Sequence, residues 1–280
     1  MIRYRTMKAE DIAEGLKLCR IAKWNQLETD WQLFLQHSPQ TCLVACHDEQ
    51  VVGTVTTIHY KHLFSWIGMV LVHPNYRRQG IGMHLLKQSL QVLNLRQTVK
   101  LDATPTGREV YLKLGFEDEF QLSRMYLLPK ESKFTKTRVR PILKKDLPSV
   151  VDLDHKIFGA DRSVLLERMY ENAPQFGLLL EEENQIKGFI MGRRGHDFNH
   201  FGPIIAQDTQ SAKELLKASL QTAQGHPLIL DVLHIQPEWI AWLQEMGFKE
   251  QRQFVRMFRG KNHFPGVPGK QFAIIGPEFG

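Results

Sequence analysis

The chain has 280 residues, a formal net charge of +6 and 42% hydrophobic residues. That length exceeds one domain of ordinary size, so two are expected, and no apolar run is long enough to span a membrane. The charge favours anionic ligands and says little about nucleic acid, since the basic residues are scattered, without a helix-turn-helix or RNA-binding signature. The first residues, Met1 to Lys8, lack the apolar core of a signal peptide. Cys19, Cys42 and Cys46 leave an odd thiol and no metal spacing, which leads to an expectation of reduced cysteines and a cytoplasmic location.

In chain order, Ile2 to Met7 reads as a strand, followed by helices over Asp11–Ala22 and Glu28–His37. Thr41–Cys46 and Val51–His59 read as a hairpin over His47-Asp-Glu-Gln50. Phe64–Val72 is a buried strand that Pro74 and Asn75 terminate, and Gly80 and Gly82 bracket a tight turn. From Ile81 onward, Leu85, Leu86, Ser89 and Leu90 recur at helical spacing. Val99–Ala103 is then a strand, Gly107–Leu114 a short helix and Phe120–Leu128 a closing strand. The polar stretch Pro129 to Lys136 reads as a linker.

Beyond the linker the pattern starts again. Arg3-x-Arg5 with Asp11 returns as Arg138-x-Arg140 with Asp146. Leu85-Leu-Lys-x-Ser-Leu90 returns as Leu215-Leu-Lys-x-Ser-Leu220, and Gly115-Phe116 with Arg124-Met125 returns as Gly247-Phe248 with Arg256-Met257. This is a tandem repeat of one fold, divided at 1–128, a linker 129–137, and 138–280. The copies differ at the glycine turn: Arg77 through Gly82 correspond to Gln207-Asp-Thr-Gln-Ser-Ala212, where both arginines and both glycines are gone. Asp208 would repel a pyrophosphate there, so the second lobe is expected to keep the fold without the ligand loop.

Strand, basic glycine loop and helix together suit a phosphate. The first turn of a helix leaves backbone N–H groups without partners, and the helix dipole adds positive charge. Gly80 and Gly82 permit close approach to the backbone, and Arg77 and Arg78 supply charge. A Walker loop would need Gly-Lys-Ser/Thr, and a dinucleotide fingerprint would need glycine where Leu85 stands, so neither fits.

The stretch Val72-His-Pro-Asn-Tyr-Arg77-Arg-Gln-Gly80-Ile-Gly82 resembles the acetyl-CoA loop of the GNAT N-acetyltransferase superfamily, Arg/Gln-x-x-Gly-x-Gly/Ala after a strand ending in Val-x-Pro. Tyr111-Leu-Lys-Leu-Gly-Phe116 resembles a second feature of that family, an aromatic-bearing helix running into Gly-Phe. The resemblance implies an α+β protein of two tandem GNAT folds, each a mixed, mostly antiparallel sheet flanked by helices. It also implies acetyl-CoA as co-substrate, with Val70, Leu71 and Val72 pairing with the pantetheine arm. Arg77, Arg78, Gln79, Gly80, Ile81, Gly82 and Met83 would then hold the pyrophosphate.

The implied chemistry is direct attack of a neutral amine on the thioester, which needs a route for its proton and donors for the oxyanion. Tyr111 is the candidate acid, because a phenol of pKa about 10 can protonate a departing thiolate of pKa about 8.5. The base stays open among His59, His62, His73, Asp102, Glu28 and Asp30. The apolar end of the chain, Gln271 to Gly280, adds one candidate, since tandem GNAT-like proteins such as N-myristoyltransferases direct a C-terminal carboxylate into the first lobe. On that resemblance, Gly280 is a candidate catalytic residue. His196-Asp-Phe-Asn-His200 reads as a loop with no accompanying ligand motif, and no metal is expected. The expected activity is acetyl transfer to a primary amine of a small molecule, with no nucleic-acid or membrane partner. The alternatives are acetylation of a protein lysine or N-terminus, and an acyl-CoA-binding sensor without turnover.

Overall fold

The computed structural model describes residues 1–93, 98–128, 138–223 and 225–280. The first half runs β1 (Ile2–Thr6), α1 (Ile12–Ile21), α2 (Glu28–His37), β2 (Leu43–His47), β3 (Gln50–Tyr60), β4 (Phe64–Val72), α3 (Ile81–Val92), β5 (Thr98–Ala103), α4 (Pro105–Leu112) and β6 (Glu117–Leu127). The second half repeats it as β7 (Val139–Pro141), α5 (Leu147–Phe158), α6 (Ser163–Asn172), β8 (Leu178–Glu182), β9 (Gln185–Arg193), β10 (Asn199–Ala206), α7 (Thr209–Thr222), β11 (Leu228–Leu233), α8 (Pro237–Glu245) and β12 (Lys249–Arg259). One further strand, β13 (Gln271–Ala273), has no counterpart among the described elements of the first half. The linker expected over 129–137 lies outside the described residues.

The repeated Arg-x-Arg…Asp pattern has a physical cause. Asp11 lies in the turn before α1, accepts from the Lys8 N–H at 2.8 Å and holds Arg5 by two bonds of 2.7 and 2.8 Å. Asp146 does the same before α5, accepting from the Leu143 N–H at 2.8 Å and from Arg140 at 2.7 and 3.2 Å. Each carboxylate ties the first strand of its half to the entry of the first helix and satisfies the N–H of the residue that opens the preceding 3-10 turn.

The compact units are not the two sequence halves. Unit 1 comprises Met1–Glu119, Arg256–His263 and Glu278–Gly280; unit 2 comprises Phe120–Val255 and Phe264–Pro277. The boundary expected at residue 128 is therefore displaced: Leu122–Leu127 of β6 pair antiparallel with Leu228–Leu233 of β11, so that strand serves unit 2. The end of β12, from Arg256, serves unit 1.

In unit 1 the strands run β1-β2-β3-β4-β5, with the end of β12 beside β5. All neighbours from β1 to β4 are antiparallel, whereas β4 and β5 are parallel. Buried Trp31, Phe34, Phe64 and Trp66 fill its core. In unit 2 the order is β7-β8-β9-β10-β11-β6 and then the start of β12, with a continuous core that includes Phe176, Phe201, Leu215, Trp239 and Phe272. Both are the mixed, mostly antiparallel sheets flanked by helices that the resemblance implied.

Candidate functional site

The site in unit 1 is built by a defect in β4. Strand β4 pairs with β3 as Thr56↔Gly68 and then Thr54↔Leu71, so Met69 and Val70 together oppose Val55. This is a β-bulge, and it holds Met69 at φ +52, a left-handed conformation that a non-glycine residue rarely adopts. On its other side, among the described residues, β4 pairs with β5 only at Phe64↔Thr98, Ser65↔Val99 and Trp66↔Lys100. Beyond Trp66 no pairing joins the two strands, and we read the stretch between Ile67–Val72 and Leu101–Ala103 as a wedge.

Strand alternation aims the β4 main chain into that wedge. The His73 N–H donates to Val52 O on β3 at 2.8 Å, so the Val72 and Val70 N–H groups turn the opposite way, toward β5. An extended amide chain laid along β4 would meet them as a neighbouring strand does.

At the mouth of the wedge the chain makes a short turn over Pro74–Tyr76 and enters α3. Arg77 is tied back by its Nε to Val72 O at 3.1 Å, and Gln79 by its Nε2 to Asn75 O at 3.3 Å. Arg78 has φ +62 and Gly80, the residue before the helix, has φ +78. A Cβ at Gly80 would meet nothing within 4 Å, and one at Gly82 only Val72 Cγ2 at 3.5 Å. The N-terminus of α3 is thus open, and Arg77, Arg78, Gln79 and Gly80 around it are exposed. The residues fit a pyrophosphate: free first-turn N–H groups, two guanidinium groups and no side chain in the way.

Tyr111 lies on α4, which follows β5 and packs against it. Its ring is 8% exposed and meets Phe116 edge-on at 5.8 Å. Among the described residues its hydroxyl makes no hydrogen bond, which leaves it available to a ligand. Burial pushes the phenol above its ordinary pKa, so it stays protonated across any working pH. The helix read from sequence over Gly107–Leu114 starts earlier, at Pro105: Thr104 Oγ1 caps it by accepting from the Gly107 N–H at 3.2 Å, and Pro105 takes the first position.

Gly280 belongs to unit 1 and is buried, packed on the Trp66 indole; a Cβ there would lie 2.8 to 3.0 Å from three ring atoms. Phe279 stacks on Phe34 at 5.0 Å, and its carbonyl accepts from the Tyr60 hydroxyl at 2.5 Å. Glu278 lies against Gly68, one residue before the bulge. The tail therefore runs over the face of β4 at the point where the wedge begins.

The candidate bases fare differently. Asp102 is fully buried and accepts twice from Arg256, at 2.9 and 3.0 Å, so it is committed as an ion pair. Asp30 caps α2, accepting from the Leu27 N–H at 2.7 Å, and Glu28 is exposed and bonded to Gln32. His59 bonds Ser65 Oγ at 2.9 Å, His62 is exposed in a turn, and His73 accepts from the Asn75 N–H at 3.3 Å. Sequence reasoning missed Arg256 as a unit 1 residue. The repeated Arg124 and Arg256 were visible, but nothing in the sequence named their partners.

Unit 2 is built differently at the corresponding place. Strand β10 leads into α7 through Gln207 and Asp208 alone, and the Asp208 carboxylate caps the helix by accepting from the Ser211 N–H at 2.8 Å. A carboxylate thus caps the first turn of α7, where α3 has Gly80. Strand β10 pairs with β11 only at Asn199↔Leu228 and His200↔Ile229 before diverging. Here β13 fills the gap, pairing with β10 at Ile204↔Ala273 and Ile205↔Gln271, while the Ile274 N–H donates to Asp231 O at 2.9 Å. His200, expected in a loop, is inside β10 and 2.9 Å from Asp231. Among the described residues no group of His, Cys, Asp and Glu could hold a metal ion, and no helix is long and apolar enough to cross a membrane.

Two family models, each described as an acetyltransferase (GNAT) domain, match residues 38–118 and 150–273. The chain belongs to the GNAT acetyltransferases, as a tandem of two such domains, and is a GNAT-family N-acetyltransferase. It is 26% identical over 259 residues to a holothin acyltransferase of Pseudoalteromonas sp. (strain SANK 73390), covering 92% of this chain and 87% of the relative. It is 23% identical to YitH of Bacillus subtilis (strain 168), named as an uncharacterized N-acetyltransferase, covering 97% of this chain and 96% of the relative. A crystal structure from Pyrococcus horikoshii superposes with a TM-score of 0.84 at 22% identity, covering 100% of this chain and 96% of that one. A tandem GNAT protein from the clavulanic acid biosynthesis pathway gives 0.64 at 13% identity, covering 92% and 98%. At those identities the two structures speak for the fold alone.

Proposed function

We propose that the protein transfers an acetyl group from acetyl-CoA to a primary amine of a small molecule, and that the transfer takes place in unit 1. The observation that carries this reading is the wedge between β4 and β5, opening at the bulge and leading to the glycine-gated N-terminus of α3. In the proposed arrangement the pantetheine arm lies along Val70, Leu71 and Val72. Its pyrophosphate rests on Gly80, Ile81, Gly82 and Met83, with Arg77, Arg78 and Gln79 beside it.

The neutral amine attacks the thioester carbonyl, and the oxyanion that forms is met by the Val70 N–H, a donor already fixed in place. Collapse of the tetrahedral intermediate expels the CoA thiolate, which takes a proton from the Tyr111 hydroxyl. The sequence reading of Gly280 as the group that relieves the amine of its proton is retained within this proposal, supported by its burial against Trp66 where the wedge opens. The second domain is proposed to carry no acetyl-CoA. A cytoplasmic setting is proposed too, on the strength of Cys19, Cys42 and Cys46 being buried and unbridged.

The small-molecule acceptor is favoured by the relative named for acyl transfer to holothin, which aligns over 92% of this chain. A protein N-terminus is the second reading, because an N-alpha-acetyltransferase 30 from Xenopus laevis is 31% identical over 106 residues, although that match covers only 35% of this chain. The test is calorimetric titration of acetyl-CoA into the wild type and Gly82→Trp. A panel of small amines and N-terminal peptides, scored by release of free thiol, then follows. One binding event that the variant abolishes, with turnover confined to small amines, is expected. Turnover of peptides alone would replace the acceptor, and binding without turnover of any amine would leave an acyl-CoA sensor.

A further inference from the structure

Thr54 on β3 is fully buried, and its hydroxyl donates to the carbonyl oxygen of Met69 at 2.7 Å. That oxygen belongs to the same peptide unit as the Val70 N–H. A trans peptide is planar, with its C=O and N–H pointing opposite ways, so fixing one fixes the other. The Thr54 hydroxyl holds the carbonyl toward β3, which aims the Val70 N–H into the wedge between β4 and β5. A hydrogen bond accepted by a carbonyl also polarises its own N–H and makes it a stronger donor.

The peptide needs such a hold. Met69 sits at φ +52, a left-handed conformation that persists in a non-glycine residue only where its surroundings enforce it. Met69 itself is 2% exposed, so packing and the Thr54 bond together keep the bulge in this form.

Unit 2 supplies an internal comparison. There Phe201↔Gly192 is followed by Ile204↔Ile190, so the bulge residues are Gly202 and Pro203. By register, Ile190 stands where Thr54 stands, and Pro203 stands where Val70 stands. Isoleucine has no hydroxyl and proline has no N–H. The unit whose helix entrance carries Asp208 has thus lost both halves of the arrangement, the donor and the residue that aims it.

We propose that Thr54 is a positioning residue for acyl transfer, orienting the Val70 N–H toward the thioester carbonyl through the Met69–Val70 peptide. This rests on the reading that the acyl group lies in the unit 1 wedge. The test reads the bound carbonyl directly: infrared difference spectra of acetyl-CoA carrying a 13C-labelled acetyl carbonyl, bound to wild type, Thr54→Val and Thr54→Ser. In the wild type the thioester carbonyl stretch is expected below its position in free acetyl-CoA. Thr54→Val keeps the volume and removes the hydroxyl, so it is expected to return the stretch toward the free value. Acetyl-CoA affinity should stay within about twofold and turnover should fall about tenfold, short of losing an oxyanion donor outright. Thr54→Ser keeps the hydroxyl and is expected to restore both.

An unshifted carbonyl in the wild type, or full binding by Gly82→Trp, would overturn the wedge reading and this inference with it. A wild-type stretch in Thr54→Val, alongside lost binding in Gly82→Trp, would leave the wedge standing and overturn Thr54 alone. Equal loss in the valine and serine variants would assign Thr54 a packing role.

Discussion

Arg256, carried on the last long strand of the second half, grips Asp102 of the first half with two bonds of 2.9 and 3.0 Å and lies 4.7 Å over the Trp66 ring. Unit 2 holds the mirrored pair: Arg124, from the first half, grips Asp231 with bonds of 2.8 and 2.7 Å. Each half thus lends an arginine to a fully buried aspartate of the other. Removing one partner of such a pair leaves an uncompensated charge and costs about 3–5 kcal/mol. Arg256→Ala is expected to lose that much, measured by urea unfolding followed through tryptophan fluorescence. The double variant Asp102→Leu with Arg256→Met should lose less than either single change, since no charge is then stranded. Additive losses would mean that the two residues act independently.

The exchange of strands explains what the sequence could and could not convey. Strands and helices were legible because their apolar periodicity is local, and the glycine loop because its chemistry sits in consecutive residues. The Arg-x-Arg…Asp repeat was legible for the same reason, with Arg5 and Asp11 only six residues apart. Arg256 and Asp102 are 154 residues apart, and no local pattern says that an arginine on one half serves the other. The Met69 bulge left no trace either, since methionine is not a residue that announces a left-handed φ. The apolar character of Gln271 to Gly280 is plain in the sequence, but nothing local says that Gln271–Ala273 pairs with β10. Asp208 was read as repelling a phosphate, and the structure adds that it caps the helix.

Tyr111 gives the second prediction. Its hydroxyl has no partner among the described residues while its ring packs on Phe116, so Tyr111→Phe removes the proton donor and little else. Turnover should fall by about 10²–10⁴-fold, the range of general acid catalysis, with acetyl-CoA affinity and thermal stability unchanged. Turnover within threefold of the wild type would show that the thiolate leaves without help from this phenol.

Binding stoichiometry gives the third. Calorimetry should find one acetyl-CoA per chain, because the entrance of α7 is capped by Asp208 and the gap between β10 and β11 is filled by β13. Asp208→Asn relieves the charge and leaves the strand in place, so it should not create a second site. A stoichiometry of two in either protein would show that β13 yields to the pantetheine arm.

The fourth prediction concerns acid. His200 is 1% exposed, and burial lowers its pKa despite the attraction of Asp231. As pH falls, the unfolded chain therefore takes up the proton at about 6.5 while the folded protein still refuses it. Stability from this group is complete above that pH and declines below it until the folded pKa is reached, by about 1.4 kcal/mol per pH unit at most. A second decline follows from carboxylates whose folded pKa is also depressed. Hydrogen bonds from Arg140 lower Asp146, and Arg124 and His200 bring Asp231 down against the effect of burial. Their contribution is complete above the ordinary carboxylate range, near pH 4, and is lost as pH drops through their folded values. Denaturant unfolding between pH 8 and pH 3 should show both declines; His200→Gln should remove the upper one and lessen the Asp231 share of the lower one, leaving that of Asp146 in place. A flat wild-type profile between pH 7 and pH 5 would mean that His200 titrates alike in the folded and unfolded chains.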